Sequence, residues 1–215
     1  MKIEKKLKII KSQLPESVVL VAVSKTKPIE LILEAYKSGH RVFGENKIQE
    51  MVMKWELLPK DIEWHMIGSV QRNKVKYMAP FVSLIHGVDS LKLLIEINKQ
   101  AKKNNRIINC LLQVHIAKED TKQGFNLSEL DLIFEKLNSF ENILVKGLMG
   151  MATFTSNALL IDSEFKLLKS KFDLYKSNKK EFDILSMGMS GDFKNAIVNG
   201  STMIRIGSKI FGERN

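Results

Sequence analysis

Eight short apolar runs recur along this chain, and helical patterns lie between them. The first, Val18-Val19-Leu20-Val21-Ala22-Val23, is aliphatic or β-branched throughout, with no polar alternation. Such a strand is buried on both faces, which is the mark of a parallel sheet covered by helices. The other runs lie at residues 41–46, 63–68, 81–88, 107–116, 144–151, 182–188 and 202–207. Helical patterns fall at about 2–13, 28–38, 47–58, 72–78, 91–103, 158–178 and 192–198, with one more that Ser128 would cap, Asp131 standing three residues on. Pro28 suits a first helical turn, and Gly39 and Gly200 suit helix ends. Eight parallel strands joined by crossover helices close into a (β/α)8 barrel, the expected fold class. A doubly wound sheet is the rival, but it usually spends fewer strands on such a length. No linker or shift in composition divides the 215 residues, so one domain is expected over 1–215.

In a barrel the carboxyl ends of the strands share one mouth, so the residues there carry functional information. The first run leads into Ser24-Lys25. A lysine so placed is partly desolvated, which lowers its pKa and frees a nucleophilic amine. The other strand ends offer Glu45 and Asn46, His65 and Gly68, His115, Met149 and Arg205. Arg205 shares a side with Met203 and Gly207, which points it either into the barrel or out toward the helices. The last two loops, Met187-Gly188-Met189-Ser190-Gly191-Asp192 and Arg205-Ile206-Gly207-Ser208, combine glycines with hydroxyls. These loops are the usual phosphate site of the fold. Glycine admits close backbone approach, and serine adds a donor.

Composition removes several alternatives. The net charge is +10, but the lysines are spread along helix faces without an aromatic stripe, so no specific nucleic-acid binding is expected. The positive field favours anionic small molecules, including phosphate esters. A single cysteine, Cys110, sits in an apolar run and reads as a buried thiol, so no internal disulfide forms. The four histidines lack ligand spacing, so no metal is expected. The apolar runs are too short to span a membrane, and the charged start of the chain lacks the core of a secretion signal. A reducing cytoplasm is the expected compartment.

A lysine amine, a phosphate cradle and a positioned arginine on one mouth describe a site for pyridoxal 5′-phosphate (PLP). The chain resembles the pyridoxal phosphate homeostasis protein family. The likeness is carried by Ala22-Val23-Ser24-Lys25-Thr26-Lys27-Pro28, Phe43-Gly44-Glu45-Asn46, Trp64-His65-Met66-Ile67-Gly68, Lys146-Gly147-Leu148-Met149, Ser186-Met187-Gly188-Met189-Ser190 and Thr202-Met203-Ile204-Arg205-Ile206-Gly207-Ser208. These segments span nearly the whole chain in order.

The resemblance implies a PLP-binding barrel like the alanine racemase N-terminal domain. It implies Lys25 as the Schiff-base lysine and Arg205 opposite the pyridine nitrogen. Ser190, Gly207 and Ser208 would hold the phosphate, with Gly191 as a further backbone donor, and Asn46, His65 and Met149 would lie near the ring. Gly191 stands where some relatives carry an acidic residue, and His115 where some carry asparagine.

The resemblance also implies a role in PLP homeostasis with no catalytic turnover, and delivery to PLP-dependent apo-enzymes by a monomer is the leading expectation. Weak amino-acid racemisation is the competing expectation. Racemisation needs acid–base groups on both faces of a substrate, and Lys25 supplies one. Tyr36, Tyr77 and Tyr175 all fall in helical stretches, and no second domain is expected after the eighth strand.

Overall fold

The computed structural model describes residues 2–119, 123–177 and 179–213. Its strands are β1 (Val19–Val23), β2 (Val42–Glu45), β3 (Glu63–Met66), β4 (Leu84–Val88), β5 (Ile108–Val114), β6 (Ile143–Gly150), β7 (Ile184–Ser186) and β8 (Met203–Ile206). All neighbours pair parallel in sequence order, and β8 pairs with β1, so the sheet closes into a (β/α)8 barrel.

The helices that cover it are α1 (Ile3–Lys11), α2 (Ile29–Lys37), α3 (Ile48–Leu57), α4 (Val75–Met78, after a 3-10 turn at Arg72–Lys74), α5 (Leu91–Lys103), α6 (Leu130–Leu137), α7 (Ala158–Lys176), α8 (Phe193–Val198) and α9 (Ser208–Phe211). Thus β8 too is followed by a short helix. Pro28 is the N-cap of α2, and Gly39 and Gly200 follow their helices at φ 86°. Residue 178, expected to end the long helix, lies outside the described residues, as do 214 and 215 of the tail.

Several strands are shorter than their apolar runs, and the start of α6 differs in its chemistry. Ser128 does not cap α6, whose N-cap is Glu129 in a helical conformation. The Glu129 carboxylate instead accepts the Asn126 N–H at 2.7 Å, holding a turn before the helix begins. No described side chain caps the α6 N-terminus, and the local carboxylate serves the preceding turn instead, which the pattern of small polar residues did not reveal.

Two apolar regions build the barrel. The larger lies between sheet and helices and contains Phe43, Trp64, Met66, Phe165 and Phe172. Each such side chain contributes about 1.5–3 kcal/mol by leaving water. The smaller fills the barrel interior with Val21, Leu84, Leu111, Met149 and Met203. Every second residue of a strand points inward, so this inner cluster fixes which side chains reach the mouth.

Candidate functional site

On β1, Val21 lies in the inner cluster, so Val23 projects the same way, and Lys25, in the turn just beyond the strand, lines the mouth above it. On β8, Met203 lies inside, which turns Arg205 inward and closes the alternative left open by sequence. Val21 pairs with Arg205 across the barrel seam. Above them, at the carboxyl ends of the strands, is a cavity of about 470 Å³, within the usual range for a small-molecule site.

Seven of the nine expected site residues line this cavity: Lys25, Asn46, Ser190, Gly191, Arg205, Gly207 and Ser208. His65 and Met149 do not. Both are buried, two residues deeper than Ile67 and Met151, which do line it. Counting two residues up from each inward side chain would have found the latter pair. Lys27, Phe154 and Met189 complete much of the rim without having been expected there. Phe154 is 95% exposed, and its backbone N–H bonds Glu119 Oε1 at 2.9 Å.

Glu45, His115 and Gly68 also stand at strand ends but outside the lining. Glu45 points away from the mouth, is fully buried and accepts the Ser24 hydroxyl at 2.6 Å. Gly68 has a different task. A Cβ there would lie 2.5 Å from the Asn46 carbonyl oxygen. Only glycine lets the two loops meet so closely and keeps Asn46 at the cavity. Gly68→Ala is therefore expected to cost about 1–3 kcal/mol, read as a lower denaturant midpoint. An unchanged midpoint would show that the loops have slack.

Arg205 dominates the electrostatics. It is 4% exposed, and burial lowers its pKa to about 10, so it remains a cation at neutral pH. Its guanidinium donates to the Ser186 carbonyl at 2.9 Å, the Ser186 hydroxyl at 2.5 Å and the Gly150 carbonyl at 3.1 Å. Among the described residues it forms no ion pair with a carboxylate. Its hydrogen bonds go to neutral groups, and the Asp192 carboxylate offsets the burial only in part, so Arg205 leaves a positive potential in the cavity. Lys25 and Lys27 add to it, so the lining favours an anionic ligand.

A polar chain runs inward from Arg205. His86 Nδ1 lies 3.0 Å from Ser186 Oγ, and His86 Nε2 lies 3.1 Å from His65 Nδ1. A guanidinium can only donate. The Ser186 hydroxyl oxygen therefore accepts from Arg205, and the two imidazoles continue the polar chain beneath it. Burial keeps both imidazoles neutral, lowering His65 to about 3 and His86 well below its ordinary value, with His65 and Arg205 adding repulsion at His86. Sequence reading placed His65 but missed His86 and Ser186, because nothing local marks which strands face one another across a barrel.

The family model of the alanine racemase N-terminal domain matches residues 1–215. The pyridoxal phosphate homeostasis protein of Aquifex aeolicus is 41% identical over 200 residues, 91% of this chain and 86% of that protein. Its counterpart in Escherichia coli is 37% identical over 204 residues, 93% of this chain and 87% of that protein. The solved structure of PipY from Synechococcus elongatus with PLP bound aligns with a TM-score of 0.90 at 33% identity, covering 98% of this chain and all of that one. An alanine racemase of Clostridium difficile shares the fold at a TM-score of 0.77 and 17% identity, covering 99% of this chain and 56% of the racemase.

Proposed function

This chain belongs to the pyridoxal phosphate homeostasis protein family, and from that premise we propose that it holds PLP as a Schiff base on Lys25 and passes it to PLP-dependent apo-enzymes. Its cofactor is PLP, and its role lies in PLP homeostasis. The observation that carries the finer reading is the convergence of Lys25, Arg205, Ser190, Gly207 and Ser208 on one cavity.

The residues fit the group. Arg205 is a buried cation whose hydrogen bonds among the described residues go to neutral groups, which suits an anionic cofactor. Its donor-only guanidinium would keep a ring nitrogen opposite it unprotonated. Ser190 and Ser208 would donate hydroxyls to the phosphate, and Gly191 and Gly207 would offer backbone there. Asn46 would flank the ring. His65 and Met149 would support it from below rather than touch it. When bound, PLP would supply a reactive aldehyde carbon, and the Lys25 amine would be the nucleophile placed to meet it. On this reading residues 1–215 form one PLP-binding barrel domain that works as a cytoplasmic monomer. No described helix is long and apolar enough to cross a membrane.

Storage and delivery fit the cavity better than racemisation. Among its described lining residues the ionisable side chains are Lys25, Lys27 and Arg205, all cationic. Such a set retains an anionic aldehyde, whereas racemisation also needs an acid–base group on the opposite face. Loaded protein mixed with a PLP-dependent apo-enzyme is expected to restore its activity faster than free PLP at equal concentration. No transfer would leave storage alone. Incorporation of solvent deuterium at Cα of an L-amino acid would replace delivery with catalysis.

A further inference from the structure

Lys54, on α3, is 1% exposed. Burying an ammonium is costly unless its hydrogens find acceptors. Here all three do. Nζ donates to the Ser24 carbonyl at 2.8 Å, to Glu45 Oε1 at 2.8 Å and to Glu50 Oε1 at 2.7 Å. Burial pushes the Glu45 carboxyl up to about 7 against the pull of Lys54, and its Oε2 has no hydrogen-bond partner among the described residues. The cluster thus sits at a cost that packing alone would not select.

The cluster holds the backbone on both sides of Lys25. Before the lysine, the Ser24 carbonyl accepts from Lys54, and the Ser24 hydroxyl donates to Glu45. After it, the Thr26 N–H donates to Glu50 Oε1 at 2.6 Å. Lys27 N–H closes the turn onto the Ser24 carbonyl at 3.0 Å. Thr26 stands at φ 62° in this turn, where a β-branched residue is strained by about 1–2 kcal/mol. A glycine would hold that conformation freely but would leave the turn loose. The chain instead uses threonine and fixes it with a carboxylate from the next helix.

We propose that Glu50 and Lys54 are positioning residues, which clamp the turn over residues 24–27 and so set where the Lys25 amine stands at the cavity. The proposal rests on the reading that Lys25 condenses with the aldehyde of PLP. In that step Nζ attacks the carbonyl carbon, a C=N bond forms and the oxygen leaves as water. A small displacement of the attacking amine slows such a step and weakens its product, without touching the contacts to phosphate.

Two probes separate these effects: PLP, and pyridoxine 5′-phosphate, whose alcohol cannot condense. Wild-type protein is expected to bind PLP more tightly than the alcohol, and Lys25→Ala to lose that preference. If wild type shows no preference, the Schiff-base reading and this proposal fall together. With the preference established, Glu50→Ala is expected to bind PLP and form the borohydride-stable adduct about tenfold less well. Its affinity for the alcohol should stay within about twofold. Glu50→Gln, which keeps an acceptor for Thr26, should recover most of the loss. Equal loss for both probes would make the cluster merely structural. No loss for either would show that the turn holds itself. Either result overturns the proposal while leaving Lys25 in place.

Discussion

Lys25→Ala is expected to bind PLP on the order of a hundredfold more weakly than the wild type, about 2.7 kcal/mol, and to yield no borohydride-stable adduct in the cavity. The variant loses the one covalent bond to the cofactor. It keeps Arg205, Ser190, Gly207 and Ser208, which sit on other loops and strands of the lining. Residual binding should therefore resemble that of pyridoxine 5′-phosphate to the wild type. The fold should be unaffected, since Lys25 is only partly buried and follows the end of β1. Equilibrium titration with thermal unfolding as a control checks both points. Undiminished affinity would mean that the phosphate and ring contacts hold the cofactor without the lysine.

A steep loss of stability between pH 6.5 and 4 is the second expected result. His40, His65 and His86 are 4%, 4% and 0% exposed. Burial is the largest cause of depression in each, taking His40 to about 4 and His65 to about 3, with His86 also well below its ordinary value. In the unfolded chain each titrates near 6.5. As pH falls through that value the unfolded chain takes up protons that the native barrel refuses, so native stability falls. Glu45 acts oppositely. Its folded pKa, about 7, lies above its unfolded value, so the native state gains a proton between about 7 and 4.5 and is relatively stabilised there. Three histidines against one carboxyl leave a net uptake of about two protons on unfolding. Between pH 7 and pH 5, where the unfolded histidines are only partly protonated at the upper end, that amounts to roughly 3 kcal/mol, a sizeable share of a typical domain's stability. Denaturant unfolding at pH 7 and pH 5 measures it. Greater stability at pH 5 would show that the buried imidazoles are accessible to protons in the native state.

The extent to which sequence foretold this molecule follows the range of the interactions involved. Strand order, barrel closure and the place of Lys25 at the mouth follow from local patterning and alternation, since each apolar run declares its own burial. The two small-residue loops at Ser190 and Ser208 were legible for the same reason. Contacts across the barrel were not. The chain from Arg205 through Ser186 and His86 to His65 joins four strands, and its members lie up to 100 residues apart in a single bond. Lys54 read as an ordinary helix lysine, and only the meeting of α3 with the turn after β1 shows it to be buried. The depth of His65 and Met149 needed strand stagger, which the sequence does not state.

The most direct test is borohydride reduction of the PLP-loaded protein, followed by peptide fragmentation to find the modified lysine. Among the described residues two lysines, Lys25 and Lys27, line the cavity, so the fragmentation must separate them. Lys27 Nζ donates to the Glu213 carbonyl at 2.6 Å, and Lys25 stands at the cavity directly beyond β1. A reduced pyridoxyl group on Lys25 is the expected result. The same group on Lys27, or none in the cavity, would contradict the account.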